Sequence, residues 1–320
     1  MRIAVASVYL GQVARGVESW AKDLAAELQR RQLDVTLFKG GGPAQLPYER
    51  YVPCLDHTKP ATERIAKITR HGGWRFGLSS AAMLQNTTFA LRLGLELRRG
   101  KFDVVHMQDA WSCRVLERLR RYGIHRAKII LGHGTEETLE YLLHLEHVQE
   151  LAPYYLEKDR EAGVTGKWFA IPNFVDCNLY RPGDQAVARA KFGIPVDRFV
   201  VLDVAALKSS HKRIDWLATE MAAFRNIRPK AMLVVAGSPT PETAQVETAL
   251  AAALGGHVRI LKNVNREDMP ELYRCADVFA HPTLREMLGI VFLEAMACGI
   301  PCIGHDFAVT RWVIGQGGLT

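Results

Sequence analysis

Short apolar runs alternate with longer amphipathic segments from one end of this 320-residue chain to the other. The first pair is a strand over 3–8 and a helix over 18–31, in which Trp20, Leu24 and Leu28 are spaced to share one face. Strands that alternate with helices indicate parallel sheets covered by helices on both faces. The chain is therefore predicted to have an α/β fold.

The same alternation predicts the other elements and restarts after a segment rich in turn residues at 171–184. Further strands are predicted at 35–38, 102–107, 128–131, 168–171, 199–204, 232–236, 258–260, 278–280 and 302–303. Further helices are predicted at 61–71, 78–99, 111–122, 136–150, 152–162, 213–226 and 241–254.

The restart predicts two Rossmann-like domains whose parallel sheets face a central cleft. We assign 1–172 to the N-terminal domain, 173–198 to a linker and 199–320 to the C-terminal domain. Ligands of such sheets bind beyond the carboxyl ends of the strands. Functional side chains are therefore expected in the loops that follow the strands.

Composition and cysteine spacing exclude several classes of protein. With 48% hydrophobic and 23% charged residues, the chain is typical of a globular protein rather than a disordered or fibrous one. No apolar run reaches the roughly 18 residues needed to span a bilayer, and the first residues lack a signal-peptide layout. The six cysteines have neither zinc-site nor Cys-x-x-Cys spacing. We therefore expect a reduced, cytoplasmic protein.

Positive charge is concentrated in residues 59–128, which include 15 Lys or Arg and only 5 Asp or Glu, although the whole chain carries a net charge of only +7. Trp74, Phe76 and Phe89 lie within this basic window. Basic and apolar side chains together suit an anionic membrane surface or an acidic acceptor. The alternative is a solvated helix face that only aids solubility. The window contains no nucleic-acid motif, so no nucleic-acid partner is expected.

The densest motif runs from Glu286 to Pro301 and has a readable local structure. A loop ends at Gly289, a helix begins near Ile290, and Gly299 with Pro301 ends that helix. The first amides of a helix have no partners within it, and together with the helix dipole they favour a phosphate group. The amides near Gly289, Ile290 and Val291 are therefore a candidate phosphate site.

Two carboxylates flank this candidate phosphate site. Glu286 precedes the helix and Glu294 lies inside it, eight positions later. Carboxylate oxygens accept hydrogen bonds from sugar hydroxyls, so the segment suits a sugar, a diphosphate and a ribose. The alternative is a helix whose acidic residues only complement its dipole.

Residues 286–301 resemble the Glu-x7-Glu signature of the retaining glycosyltransferases of family 4, which have the GT-B fold. The resemblance extends along almost the whole chain. Its other landmarks are Gly16-Val17-Glu18, Phe102–His106, His133-Gly134, Ile171–Asp176, His211–Asp215 and Tyr273–Phe279.

The resemblance implies roles for individual residues of the C-terminal half. Lys212 would neutralise the diphosphate as the glycosidic bond breaks, and Glu286 would contact the donor sugar. Glu294 would hold the ribose. The family's usual Arg, a few residues before this Lys, is replaced by Ala206, for which Arg213 or Lys208 is a possible substitute.

The resemblance implies that the C-terminal domain binds the nucleotide-sugar donor and that the N-terminal domain supplies the acceptor side. Residues of the N-terminal half are also implied at the donor site. Gly16 lies at the entry to the first helix. Gln108 stands where many relatives have a histidine; it can bond a sugar hydroxyl but cannot carry a proton. His133 is a candidate for the cleft, whereas His106 is expected to be a packed histidine at a strand end.

The implied reaction moves a hexose from a UDP- or GDP-sugar to a saccharide or lipid-linked acceptor, with retention. Synthesis of a cell-surface polysaccharide, lipopolysaccharide or glycolipid is expected, with the enzyme at the inner membrane surface. The chain has no Asp-x-Asp pair, which agrees with a reaction that needs no metal. The first loop, 9–16, does not fit the Gly-x-Gly-x-x-Gly pattern of nicotinamide-binding domains.

Two alternatives stay open from the sequence. One is a GT-B-like epimerase, supported only by architecture. The other is a nucleotide-sugar-binding protein with weak or no activity, suggested by Gln108, Phe174 and Ala206. Relatives normally continue well beyond the Glu-x7-Glu helix, whereas only 26 residues follow Glu294 here. We therefore expect an incomplete C-terminal domain, with partial cover of its sheet and no helix crossing back to the first domain.

Overall fold

The computed structural model describes residues 1–12, 16–135 and 137–320. The predicted loop 9–16 and the predicted helix 136–150 fall partly outside these residues. The chain divides into two compact units, Met1–Pro172 and Asn173–Thr320. Each unit is built on one parallel sheet, and helices separate successive strands everywhere except between residues 39 and 49, in agreement with the predicted alternation.

The first unit has a seven-stranded sheet in the order β3-β2-β1-β4-β5-β6-β7. Its strands are β1 (Arg2–Ser7), β2 (Asp34–Lys39), β3 (Glu49–Tyr51), β4 (Val104–Met107), β5 (Lys128–His133), β6 (His147–Glu150) and β7 (Lys167–Ala170). Its helices are α1 (Gly16–Arg30), α2 (Pro60–Gly73), α3 (Ala81–Gly100), α4 (Ala110–Arg121), α5 (Leu139–Leu142) and α6 (Pro153–Glu161).

The second unit has a six-stranded sheet in the order β10-β9-β8-β11-β12-β13. Its strands are β8 (Phe199–Val204), β9 (Ala231–Gly237), β10 (Val258–Lys262), β11 (Val278–His281), β12 (Cys302–Gly304) and β13 (Gly318–Leu319). Its helices are α7 (Gln185–Phe192), α8 (Ile214–Ile227), α9 (Thr243–Leu254), α10 (Met269–Arg274), α11 (Ile290–Ala297) and α12 (Ala308–Ile314).

The strand order reverses direction between β1 and β4 in one unit and between β8 and β11 in the other. At such a point the connections leave the sheet on opposite faces, which opens a crevice at the carboxyl ends of the strands. Val201 packs towards α8 and α9, whereas Val200 and Leu202 pack against the opposite core with Phe292. Burial on both faces explains the apolar run over 199–202 that marks β8 in the sequence.

The prediction of a single helix over 136–150 is wrong. Only α5 is helical in the described part of this segment, and β6 pairs with β5 and β7. Gln149 and Glu150 of β6 are buried and have polar partners, since Glu150 bonds His133 of β5 and Gln149 bonds His106 of β4. A strand whose buried polar side chains find partners on other strands does not show the apolar pattern of a buried strand.

The segment 173–198, assigned above to a linker, belongs to the second unit and contains α7. Arg189 of α7 is buried and donates hydrogen bonds to the carbonyls of Cys275, Val196 and Arg198. Its guanidinium also pairs with Asp277 at 2.8 Å. The turn residues on either side of α7 obscure this short helix in the sequence. The strand β3, only three residues long, was not predicted.

One face of the second sheet carries an open apolar groove of about 450 Å³. Trp216 and Met221 of α8 line one side, and Val278 and Ile303 of the strands line the floor. No helix in the part of the chain that the structure describes combines the length and apolar character needed to cross a bilayer.

Candidate functional site

The two candidate catalytic side chains meet beyond the carboxyl ends of β8 and β11. Lys212 lies in the loop between β8 and α8, and Glu286 lies in the loop between β11 and α11. The Lys212 ammonium and the Glu286 carboxylate form a direct ion pair, with about one sixth of each side chain exposed (16% and 17%). The pairing of β8 with β11 brings together residues that are 74 positions apart.

The loop that carries Lys212 is held by hydrogen bonds on both sides. The Leu284 amide donates to the His211 carbonyl at 2.9 Å, which joins this loop directly to the Glu286 loop. On the other side, the Glu242 carboxylate accepts hydrogen bonds from the amides of Ser209 and Ser210. These bonds place Lys212 before any ligand binds.

Glu286 is also bonded to a buried histidine. Its Oε1 lies 3.1 Å from His281 Nε2, and the other ring nitrogen of His281 lies 2.7 Å from Asp203 Oδ1. Burial would raise the pKa of Glu286, but the bond from His281 and the charge of Lys212 outweigh it and lower this pKa to about 2. Glu286 is therefore a carboxylate at neutral pH, suited to accept hydrogen bonds and unsuited to act as a general acid.

The start of α11 has the backbone expected of a phosphate site. Gly289 has a φ of +80°, and a Cβ there would lie 2.8 Å from the ring of buried Phe292. Glycine adopts this positive φ without strain, and it has no Cβ that could clash with the Phe292 ring. Within the described residues no side chain caps this helix, so the amides of its first turn, Ile290 and Val291 among them, are left to a ligand or water.

Glu294 lies on the same helix and is oriented by a residue that the sequence analysis did not assign to the site. Tyr273 of α10 is buried, and its hydroxyl donates to Glu294 Oε2 at 2.6 Å. Burial and the Glu294 charge raise the pKa of Tyr273 well above its usual value, so the phenol stays a donor. A buried tyrosine hydroxyl needs a hydrogen-bond partner, and this requirement is the signal that could have assigned Tyr273 to the site.

Arg213 does not join the Lys212–Glu286 pair. It begins the turn into α8 with a φ of +54°, and its guanidinium lies 3.8 Å from the ring centre of Trp216. It therefore lines the apolar groove of the second sheet.

In the first unit, Gln108 follows β4 and is buried. It lines a cavity of about 170 Å³ together with Ser7 and Glu18. Its Oε1 accepts no hydrogen bond from the residues that the structure describes, so it is available to a ligand. Gly16 is the exposed first residue of α1. This cavity lies where the strand order of the first sheet reverses.

The two histidines of the first unit that the sequence analysis discussed, His133 and His106, have different environments. His133 Nδ1 lies 2.8 Å from Glu150 and its Nε2 3.3 Å from Glu137. Burial disfavours its charged form, but the contacts with the two carboxylates raise its pKa to about 9, so it is unsuited to act as a base. Burial lowers the pKa of His106 to about 4, and its Nε2 bonds Gln149. His106 is a packed strand-end residue, as expected.

Residues 1–12, 16–135 and 137–320 contain no cluster of three or more His, Cys, Asp or Glu side chains arranged to hold a metal ion.

Comparison with known proteins decides the family. Residues 14–162 match the family model "Glycosyltransferase Family 4", and residues 184–318 match "Glycosyl transferases group 1". The D-inositol 3-phosphate glycosyltransferase of Mycobacterium bovis is 33% identical over 339 residues, which cover 94% of this chain and 68% of that protein. The chain belongs to glycosyltransferase family 4. It is accordingly a glycosyltransferase, as the resemblance implied.

Solved structures show the fold of this family 4 glycosyltransferase. Sucrose-phosphate synthase from Thermosynechococcus elongatus aligns with a TM-score of 0.79 at 20% identity, covering 99% of this chain and 85% of that one. HepE of Anabaena, solved in complex with UDP and glucose, aligns with a TM-score of 0.69 at 15% identity, covering 100% and 85%. These likenesses show the GT-B fold, with two Rossmann-like domains.

Proposed function

We propose that this glycosyltransferase moves a hexose from a UDP- or GDP-sugar to a saccharide or lipid-linked acceptor, with retention and without a metal ion. The observation that carries the proposal is the Lys212–Glu286 ion pair at the reversal point of the second sheet, next to the uncapped start of α11. HepE, of the same fold, binds UDP and glucose, which supports a nucleotide-sugar donor.

The site residues then have separate tasks. The amides of Gly289, Ile290 and Val291 bind the diphosphate, because they and the helix dipole favour negative charge. Lys212 neutralises the charge that grows on the diphosphate as the glycosidic bond breaks, which stabilises the transition state. Glu286 accepts hydrogen bonds from hydroxyls of the donor sugar.

Residues outside this loop pair have proposed tasks of their own. In the second unit, Glu294, oriented by Tyr273, accepts the ribose hydroxyls. In the first unit, Gln108 offers its buried Oε1 to a sugar hydroxyl. Gly16 and His133 remain proposed donor contacts of the first unit, with His133 as a fixed positive charge rather than a base.

The direct test is transfer by the purified full chain. UDP-glucose, UDP-galactose and GDP-mannose are supplied in turn, with and without saccharide acceptors, and nucleoside diphosphate release is followed with and without EDTA. We expect release from one donor at an unchanged rate in EDTA, and an α-anomeric product by NMR. Tight donor binding with no turnover would instead support an inactive nucleotide-sugar-binding protein, and loss of turnover in EDTA would exclude the metal-free mechanism.

The acceptor side is proposed to face an anionic membrane from the cytoplasm, as in synthesis of a cell-surface polysaccharide or glycolipid. The α2 surface, defined as 60–76, exposes 80% of Ile68, 61% of Trp74 and 68% of Phe76. Arg70 and Arg75 lie among them, and the Arg75 guanidinium lies 5.1 Å from the Trp74 ring centre. A merely solvated basic face does not need three exposed large apolar side chains. Their combination with positive charge suits anionic lipid headgroups.

Binding of the protein to vesicles that contain about 30% anionic lipid is expected to weaken about tenfold in the double variant Trp74→Ala, Phe76→Ala, since apolar contact area is lost. Binding should also weaken as salt rises, because the basic side chains are screened. Vesicle co-sedimentation measures both effects. Leu143→Ala removes a similarly exposed apolar side chain outside the basic window and should have no effect. Equal binding to neutral vesicles at every salt concentration would contradict the proposal.

A further inference from the structure

Asp203 and His281 are ionisable and buried, and the reaction proposed above gives them no task. Asp203 lies near the end of β8 with 0% exposure, and His281 is the last residue of β11 with 1% exposure. Charged side chains are seldom fully buried without partners. Their only described ionisable neighbours in hydrogen-bond contact are each other and Glu286.

The hydrogen bonds determine the protonation state of His281. Nδ1 faces an oxygen of Asp203 and Nε2 faces an oxygen of Glu286. An ionised carboxylate only accepts hydrogen bonds, and a neutral imidazole can donate from one nitrogen only. Both bonds form together when the ring carries two protons. Burial disfavours the charged ring, but the charge of Asp203 and the bonds to Asp203 and Glu286 outweigh it and raise the pKa of His281.

Asp203, His281, Glu286 and Lys212 thus form a chain of alternating charge whose sum is zero. Lys212 pairs with the same Glu286 oxygen that His281 bonds. The proposed reaction requires Lys212 to turn to the diphosphate as negative charge grows there. Without a second cation, that movement would leave the largely buried Glu286 carboxylate uncompensated, which is costly in a low-dielectric site.

We propose that His281, held as an imidazolium by Asp203, is a positioning residue that keeps Glu286 oriented and neutralised while Lys212 interacts with the diphosphate. This inference rests on the proposed function, because it needs the diphosphate as the second partner of Lys212. It assigns tasks to two residues that do not touch the substrate.

The surroundings of His281 supply the other groups that affect its charge. Phe279 and Phe292 contribute apolar rings, at 6.1 and 5.6 Å between centres. Arg213 at the start of α8, Glu220 of α8 and His305 after β12 line the same groove as His281. Of the carboxylates near the ring, those of Asp203 and Glu286 are bonded to its two nitrogens, so they are what hold the imidazolium.

The experiment compares wild type with Asp203→Asn and His281→Gln. Asp203→Asn keeps an oxygen that can accept from Nδ1 but removes the negative charge, so the imidazolium should lose its proton at lower pH than in wild type. The alkaline limb of the kcat profile, measured from about pH 6 to 9, should shift to lower pH, and long-range ¹H–¹⁵N spectra should report the same shift for the ring. KM for the donor should change little.

His281→Gln keeps one donor to Glu286 and removes the charge, so it should lower kcat about tenfold or more at every pH. This variant also tests the proposal if Asp203→Asn does not fold. His257→Gln changes another histidine of the second unit, away from Lys212 and Glu286, and should leave the profile unchanged.

Two outcomes separate this inference from the proposed function. A neutral His281 ring at pH 7 in an active wild type, or equal losses at every pH in Asp203→Asn with an unshifted ring titration, overturns the inference alone. Absence of turnover by the wild type with every donor overturns the proposed function and this inference with it.

Discussion

Lys212→Met is expected to lower kcat about 10²- to 10³-fold, the usual cost of removing one group that stabilises charge in a transition state. Lys212 forms an ion pair with Glu286 before the donor binds, and its ammonium is the charge proposed to meet the departing diphosphate. Methionine has nearly the same length without the charge. Donor affinity should fall much less than kcat, because most of the charge develops as the bond breaks. Steady-state kinetics with the active donor measures both quantities.

Lys230→Met is the matched control. Lys230 also pairs with an acidic residue of the second unit, Asp197 at 2.8 Å, but both side chains are largely exposed. Such a surface pair contributes little, so its kinetics should equal those of wild type. If Lys212→Met retained more than about one tenth of wild-type kcat, the role given to Lys212 here would be wrong.

Arg189→Met is expected to reduce the free energy of unfolding of the second unit by about 3 kcal/mol, the scale measured when one partner of a buried ion pair is removed. The guanidinium is 4% exposed and bonds three backbone carbonyls as well as Asp277. Methionine would remove the donor to those carbonyls and the positive charge beside Asp277, which would keep the hydrogen bonds from the Val200 amide and Gln185. Hydrogen exchange of the β8 and β11 amides, read by mass spectrometry, reports the unfolding of this unit.

Lys230→Met again provides the comparison, since it removes a charge from the surface of the same unit. Under conditions where the Arg189→Met variant is still folded, the kcat of this variant per folded molecule should match that of wild type, because Arg189 lies outside the site. Unchanged amide exchange in β8 and β11 would show that 173–198 is only a connection between the units and does not stabilise the second one.

The sequence allowed most elements of the fold to be predicted, because their burial follows from local pattern. The apolar run of β8 and the amphipathic pattern of α8 are each visible within a dozen residues. The strand β6 was missed because Gln149 and Glu150 are buried polar residues whose partners come from other strands. The helix α7 was missed because turn residues surround it, while Arg189 ties it to the unit through two partners, Cys275 and Asp277, that lie 86 and 88 positions away.

The residues of the candidate site also fall into those that the sequence could assign and those that it could not. Gly289 and the start of α11 could be assigned from the sequence, since a helix start and its glycine are local features. Tyr273 and Asp203 could not be assigned, because each acts through a contact formed by another element. Arg213 was assigned to the donor site by its place beside Lys212, but adjacent residues of a turn point in different directions, and its side chain lies on Trp216.

By itself, the sequence determined the α/β class, the family and the residue types at the proposed donor site, because periodicity and a short motif depend on neighbouring positions. The tertiary structure decided which of those residues lie in contact. Parallel pairing of β8 with β11 places Asp203, His281, Glu286 and Lys212 in one alternating chain of charge. The strength of that chain depends on distance and burial, and neither is encoded within any single segment.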